Sequence, residues 1–128
     1  MTDVSCALIT QVNGQVLVTQ RSAAMRLPLK WEFPGGKIEE GETAQDCIVR
    51  EILEELALEV QVVQRMRSHV FGEGNNAICL VPFLCIIVAG EIKLAEHAAF
   101  QWLLPEELME LDWAEADIPV LHDYLNSL

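Results

Sequence analysis

Hydrophobic and polar positions assign most of the chain before any chemistry is considered. Residues 4–12 and 15–20 are β-like runs on either side of Asn13-Gly14, a pairing that predicts a two-residue hairpin. Residues 21–30 contain Pro28 and read as a loop. Residues 31–33 read as a short strand entering Pro34-Gly35-Gly36, where two glycines permit a positive-φ turn and close approach of a ligand. From Thr43 to Leu56 good helix formers run without Gly or Pro. Thr43 is an N-cap type residue with Asp46 three positions on, a variant of the capping box. At about 100° per residue, Ile48, Val49, Ile52, Leu53 and Leu56 fall on one side of this helix. Glu51, Glu54 and Glu55 fall on the other.

Residues 59–71 are β-rich and residues 72–76 form a turn. Residues 77–89 are almost continuously apolar, which predicts a strand buried on both faces, with Pro82 requiring a bulge or an edge position. A polar connection (90–98), a short strand (100–103) and a helical turn (105–111) follow. A closing helix over 117–128 places Ile118, Leu121 and Leu125 on one face and Pro119 in its first turn. Strands outnumber helices, and two helices can cover opposite faces of a mixed sheet. The expectation is an α/β fold forming one domain over residues 1–128, without repeats or linkers.

Composition narrows the function classes. An apolar content of 52% belongs to a globular chain. A net charge of −12 repels nucleic-acid backbones and anionic membranes, which argues against both as partners. A free nucleotide is also an anion and needs metal ions and a local basic patch. Arg21, Arg26, Lys30 and Lys37 supply four of the chain's eight Lys and Arg just ahead of the acidic helix. The N-terminus MTDVSCALIT lacks the pattern of a signal peptide, and the run 77–89 is too short to cross a bilayer. Cys6, Cys47, Cys79 and Cys85 lack zinc-site spacing and are expected as reduced core residues of a cytosolic protein. Cys47, one turn before Glu51, reads as small core filler.

Glu51, Glu54 and Glu55 stand at i, i+3 and i+4, where like charges repel by a few tenths of a kcal/mol per pair. Such a stripe is either a solvated acidic face or a seat for a hard cation, and oxygen-only ligands suit Mg²⁺ or Mn²⁺. The wider pattern separates the two. It runs Gly36, five residues, Glu42, seven residues, Arg50-Glu51, Ile52, one residue, Glu54-Glu55, one residue, Ala57, Leu58. This resembles the signature of the Nudix hydrolases, with Ala57 in place of its final Gly. The preceding Trp31-Glu32-Phe33-Pro34-Gly35-Gly36-Lys37 resembles the lead-in of the MutT-like branch.

The resemblance implies an α/β/α sandwich with a mixed sheet and hydrolysis of a nucleoside diphosphate linked to another group. Here that is a nucleoside triphosphate cut to monophosphate and pyrophosphate. It also implies roles: Glu51 and Glu55 as main metal ligands, Glu54 as a further ligand or supporting acid, and the Gly35 carbonyl as a backbone ligand. Arg50 would orient the acids by ion pairing, and Glu42 would support the loop. Arg21 and Lys37 are phosphate-contact candidates, though Arg21 equally suits solvated surface. Glu96, six residues before Trp102, matches a glutamate that binds metal or serves as general base. Asp117, before Ile118-Pro119-Val120, matches a base-contacting position and equally suits an N-cap. Phe33 or Phe71 would stack on the base or belong to the core. Residues 96–120 look most like the CTP pyrophosphohydrolases, with enzymes acting on oxidised guanine nucleotides close by, so the base stays open. Members are often dimers, which leaves monomer or homodimer. Hydrolysis of another nucleoside diphosphate derivative, or nucleotide binding without catalysis, remain the alternatives. Ala57 adopts the left-handed cap of a signature Gly at a cost of about 1 kcal/mol. The helix is therefore expected to end by a different geometry, with no ligand lost.

Overall fold

The computed structural model describes residues 1–128. Strands β1 (Thr2–Ile9) and β2 (Val16–Gln20) leave the Asn13-Gly14 turn in different directions. Gly14, at φ +89°, donates its N–H to Gln11 O (3.0 Å), and Gln11 donates to Gln15 O (2.9 Å). This loop is one residue longer than a two-residue hairpin and carries a bulge glycine. Beyond a single Thr10–Val16 bridge the strands part, so the predicted hairpin ladder does not form.

The reason is that both edges of β1 are claimed by distant segments. It pairs antiparallel with β4 (Gly35–Lys37) and parallel with β7 (Ile78–Gly90). β5 (Leu58–Arg65) completes the order β4-β1-β7-β5, and β6 (His69–Phe71) also pairs with β7. β2 lies in a second, antiparallel sheet between β3 (Trp31–Glu32) and β8 (Ala99–Leu103). Alternation along β1 serves two cores: Cys6 and Leu8 face one, Ala7 and Ile9 the other.

Helix α1 (Ala44–Leu56) covers the second of these cores with Ile48, Ile52 and Leu56. Thr43 Oγ1 accepts from the Asp46 N–H at 3.0 Å, the predicted cap. Val49 and Leu53, predicted inward, are 37% and 52% exposed. Cys47 takes the inward position instead, with its Sγ 3.0 Å from Ser5 Oγ, and so the helix is rolled toward β1. The four-residue α2 (Pro105–Leu108) and α3 (Ile118–Asn126) cover the opposite core, where Leu108, Val120, Leu121 and Tyr124 meet Cys6, Leu8 and Leu80. The layers are thus helix, mixed sheet, helix, as the resemblance implied.

Pro82 is neither at an edge nor in a bulge of its own. The Met66 N–H donates to Pro82 O at 2.9 Å, so the missing Pro82 N–H faces the interval between β5 and β6. There the ladder is already interrupted, and the pairing with β1 needs no donor from Pro82. All four cysteines are free, and Cys6, Cys47 and Cys85 are buried. No helix is long and apolar enough to cross a membrane.

Ala57 corrects a second expectation. It sits at φ 58°, ψ 30° and donates its N–H to Leu53 O at 3.0 Å, so α1 ends in the left-handed cap itself. Ala57→Gly is therefore expected to stabilise by about 1 kcal/mol, or about 4 °C in Tm, with turnover unchanged. Thermal denaturation beside an activity assay checks it.

Candidate active site

The site starts with two glycines that prove to be strand rather than turn. Gly35 and Gly36 pair with Cys6 and Ser5, and neither has positive φ. Their lack of a side chain serves close approach instead. A Cβ on Gly35 would overlap the Ser5 carbonyl, and one on Gly36 would overlap the Glu51 carboxylate. Glu51 therefore rests on bare backbone.

Arg50 organises the acids around it. Its Nε and Nη2 donate to the two Glu42 oxygens at 2.6 and 2.9 Å, and Nη1 donates to Glu51 Oε1 (2.9 Å) and Glu54 Oε2 (3.2 Å). Nη2 also donates to the Lys37 carbonyl at 3.2 Å, tying α1 to β4. The Arg50 hydrogen bonds, with the Glu39 N–H adding, hold the Glu42 carboxyl down at about 2. The same bonds raise the Arg50 guanidinium above its usual value.

Glu55 turns the other way, toward His97, whose Nδ1 is 3.4 Å from its Oε2. Burial pushes the Glu55 carboxyl up to about 7; His97 opposes this, while Glu51, Glu32 and Glu96 add to it. Glu96 itself is exposed on the 91–98 connection. That connection is anchored by N–H bonds from Lys93 to Leu56 O (2.9 Å) and from Ala95 to Glu55 O (3.1 Å). His97 and Glu32 are the participants not singled out in the sequence. Each adjoins a residue that was: His97 follows Glu96, and Glu32 precedes Phe33.

A cleft of about 350 Å³ gathers Arg21, Phe33, Gly35, Lys37, Glu55 and Asp117 on its walls. Glu51, Glu54, Arg50 and Glu96 are not among its lining residues. Arg21 is not solvated surface: its side chain is 20% exposed and its Nη1 lies 2.7 Å from Glu32 Oε1. Its Nε also donates to the Arg26 carbonyl. Lys37 is exposed, as is Phe71 on the same cleft. Phe33 is buried, with its ring centroid 4.8 Å from that of Trp113 at a 41° tilt.

Asp117 does not cap α3. Its backbone is already helical (φ −84°, ψ −17°), whereas an N-cap is extended, and its Oδ2 accepts instead from the Phe33 N–H at 2.8 Å. Burial pushes its carboxyl up to about 8; the Phe33 bond opposes this, Glu32 adds and Arg21 opposes. An acid whose folded value lies above its unfolded value of about 3.9 binds more protons when folded, so its contribution to stability falls as pH rises from about 4 to about 8. Asp117→Asn keeps an acceptor for Phe33 without a titrating proton. Its stability is expected to be flatter over that range and higher than wild type at pH 8, as urea denaturation across pH would measure.

No three His, Cys, Asp or Glu side chains yet converge on one point, because Glu51 and Glu54 face Arg50 while Glu55 faces His97. The donor set still fits a hard divalent cation. All its groups are oxygens, Glu51 lies against bare backbone, and Glu55 is half-buried near acids whose repulsion a cation would relieve.

Comparison with known proteins agrees with this geometry. The NUDIX domain profile matches residues 1–124. The CTP pyrophosphohydrolase of Escherichia coli K12 is 34% identical over 119 residues, covering 93% of this chain and 88% of that protein. The 8-oxo-dGTP diphosphatase of the same strain is 40% identical over 118 residues, 92% of each. The solution structure of the E. coli ORF135 protein superposes with a TM-score of 0.85 at 34% identity, covering 98% of this chain and 89% of that one. The architecture and the acid-lined cleft are those of a hydrolase. The chain belongs to the Nudix family.

Proposed function

We propose that this Nudix hydrolase uses Mg²⁺, or Mn²⁺ in its place, to convert a nucleoside triphosphate to the monophosphate and pyrophosphate. The substrate is a pyrimidine such as CTP or dCTP, or an oxidised purine such as 8-oxo-dGTP. The observation that carries this reading is one cleft of nucleotide size walled by Arg21, Lys37, Glu55 and a buried Asp117. The relatives named for those two substrates support it.

Glu51, Glu54, Glu55, Glu96 and the Gly35 carbonyl would hold the cation, and Arg50 keeps the first two acids oriented. When bound, a divalent ion clamps phosphate oxygens and makes water more acidic. Arg21 and Lys37 hold the polyphosphate, and Glu96 or a signature glutamate accepts the proton of the attacking water. Phe33 offers the base an apolar edge. Asp117, kept neutral at pH 7 by its burial, offers one hydroxyl donor and one carbonyl acceptor side by side. Cytosine, with its N3 acceptor beside the N4 amine, takes such a pair. Nucleotide binding without turnover is the weaker reading, because all three helix acids are present, Glu51 and Glu54 on Arg50 and Glu55 beside His97.

The chain acts as one domain, a monomer or homodimer. Its net charge of −12 supports the absence of nucleic-acid and membrane partners, and its free cysteines support a cytoplasmic location. The test is a nucleotide panel with Mg²⁺ in which pyrophosphate and orthophosphate are scored separately. Pyrophosphate is expected, and predominant orthophosphate would overturn the cleavage position.

A further inference from the structure

His97 Nδ1 is the one buried side-chain polar atom of the protein without a hydrogen-bond partner. Its side chain is 1% exposed and lies between carboxylates from two different elements. Nε2 is 2.8 Å from Glu32 Oε2 on β3, and Nδ1 is 3.4 Å from Glu55 Oε2 on α1. The second Glu32 oxygen, Oε1, is 2.7 Å from Arg21 Nη1. Arg21, Glu32, His97 and Glu55 thus form one chain of contacts from a cation on the cleft wall to the acid at the end of the helix. The backbone repeats this bridge. Ala95 donates to Glu55 O at 3.1 Å, and Ala98 donates to Gln20 O at 2.9 Å, beside Arg21. His97 is therefore pinned on one side to α1, which carries Glu55, and on the other to β2, the strand that pairs with the β3 of Glu32. A planar ring with one nitrogen bonded to Glu32 and the other 3.4 Å from Glu55 sets the spacing of the two carboxylates as a flexible side chain would not.

We propose that His97 is a positioning residue that couples the two halves of the cleft. Through Glu32 it fixes the Arg21 guanidinium for the polyphosphate, and through Glu55 it fixes a carboxylate for the divalent cation. The inference rests on the functional reading above. Residues that hold a metal-ligating carboxylate from behind change metal affinity without touching the ion.

Three variants separate the two contacts, because an Asn amide falls near the Nδ1 position and a Gln amide reaches toward Nε2. The measurements are the Kd of Mn²⁺ alone, without nucleotide, and KM at saturating metal for the nucleotide that wild type turns over fastest. His97→Gln is expected to weaken Mn²⁺ binding about tenfold with KM nearly preserved. His97→Asn should raise KM at least about fivefold while Mn²⁺ binding stays near wild type. His97→Leu should do both, and if it fails to fold, the two amide variants carry the test. Folded Gln and Asn variants with Kd and KM within twofold of wild type would overturn the inference. So would unchanged or tighter Mn²⁺ binding in His97→Gln, or equal losses in all variants that merely track a fall in Tm. An active wild type with unmoved variants removes this inference alone, whereas an inactive wild type removes the functional reading with it.

Discussion

Glu55→Gln should cost between about 10² and 10⁴ in kcat and yet raise the stability of the protein at pH 8. The two effects share one cause. Burial pushes the Glu55 carboxyl up to about 7, above its unfolded value of about 4.3. A group shifted in this direction contributes most below pH 4, and its contribution is lost as pH rises through about 7. At pH 8 the folded protein holds an ionised carboxylate among other acids, which an amide of the same shape avoids. Thermal melts in the presence of a chelator isolate this term from any cation. The expected result is a Tm above wild type at pH 8, with the difference shrinking toward pH 4. Under the proposed ligand set, the same substitution removes a charge that would hold the divalent cation. A more stable and nearly inactive variant is the mark of a residue kept for function at the expense of the fold. Normal turnover by Glu55→Gln would remove Glu55 from the ligand set.

What was legible in the sequence is what depends on local chemistry. The Thr43 cap and the span of α1 follow from residues within a few positions of each other, and they stand where expected, whereas the carboxylates of the helix part company, Glu51 and Glu54 toward Arg50 and Glu55 toward His97. Features decided by distant segments were not legible. Nothing near Asn13-Gly14 announces that β4 and β7 will take both edges of β1 and leave β2 to another sheet. The exposure of Val49 and Leu53 follows from how α1 rolls onto β1 through Cys47, a contact 42 positions apart in the chain. Asp117 looked like a cap because Asp before a helix usually is one, and only the Phe33 N–H, 84 positions away, redirects it. Likewise Glu32 and His97, 65 positions apart, acquire meaning only when folding brings them to 2.8 Å. Ala57 misled in the opposite sense. A modest local cost is accepted where the 91–98 connection docks on the end of α1, the Lys93 N–H donating to Leu56 O at 2.9 Å.

Gly36→Ala is expected to lower kcat roughly 100-fold while leaving the fold almost as stable as before. The backbone at Gly36 is ordinary strand, so Ala meets no penalty of conformation there. The added methyl collides with the Glu51 carboxylate, the free end of a side chain that can swing aside. Swinging aside detaches Glu51 from the position fixed by Arg50 Nη1 at 2.9 Å, and under the proposed ligand set it would take Glu51 away from the cation. Gly35→Ala is the control that separates site from scaffold. Its methyl would meet the Ser5 backbone in the neighbouring strand, which cannot move without parting β1 from β4. That variant should therefore lose several kcal/mol of stability and unfold well below wild type. Urea denaturation of both variants, beside steady-state kinetics, reads the contrast. Unimpaired turnover in Gly36→Ala would mean that Glu51 does not need its place over the bare strand, and the cation would then have to be held by Glu54, Glu55 and Glu96 without it.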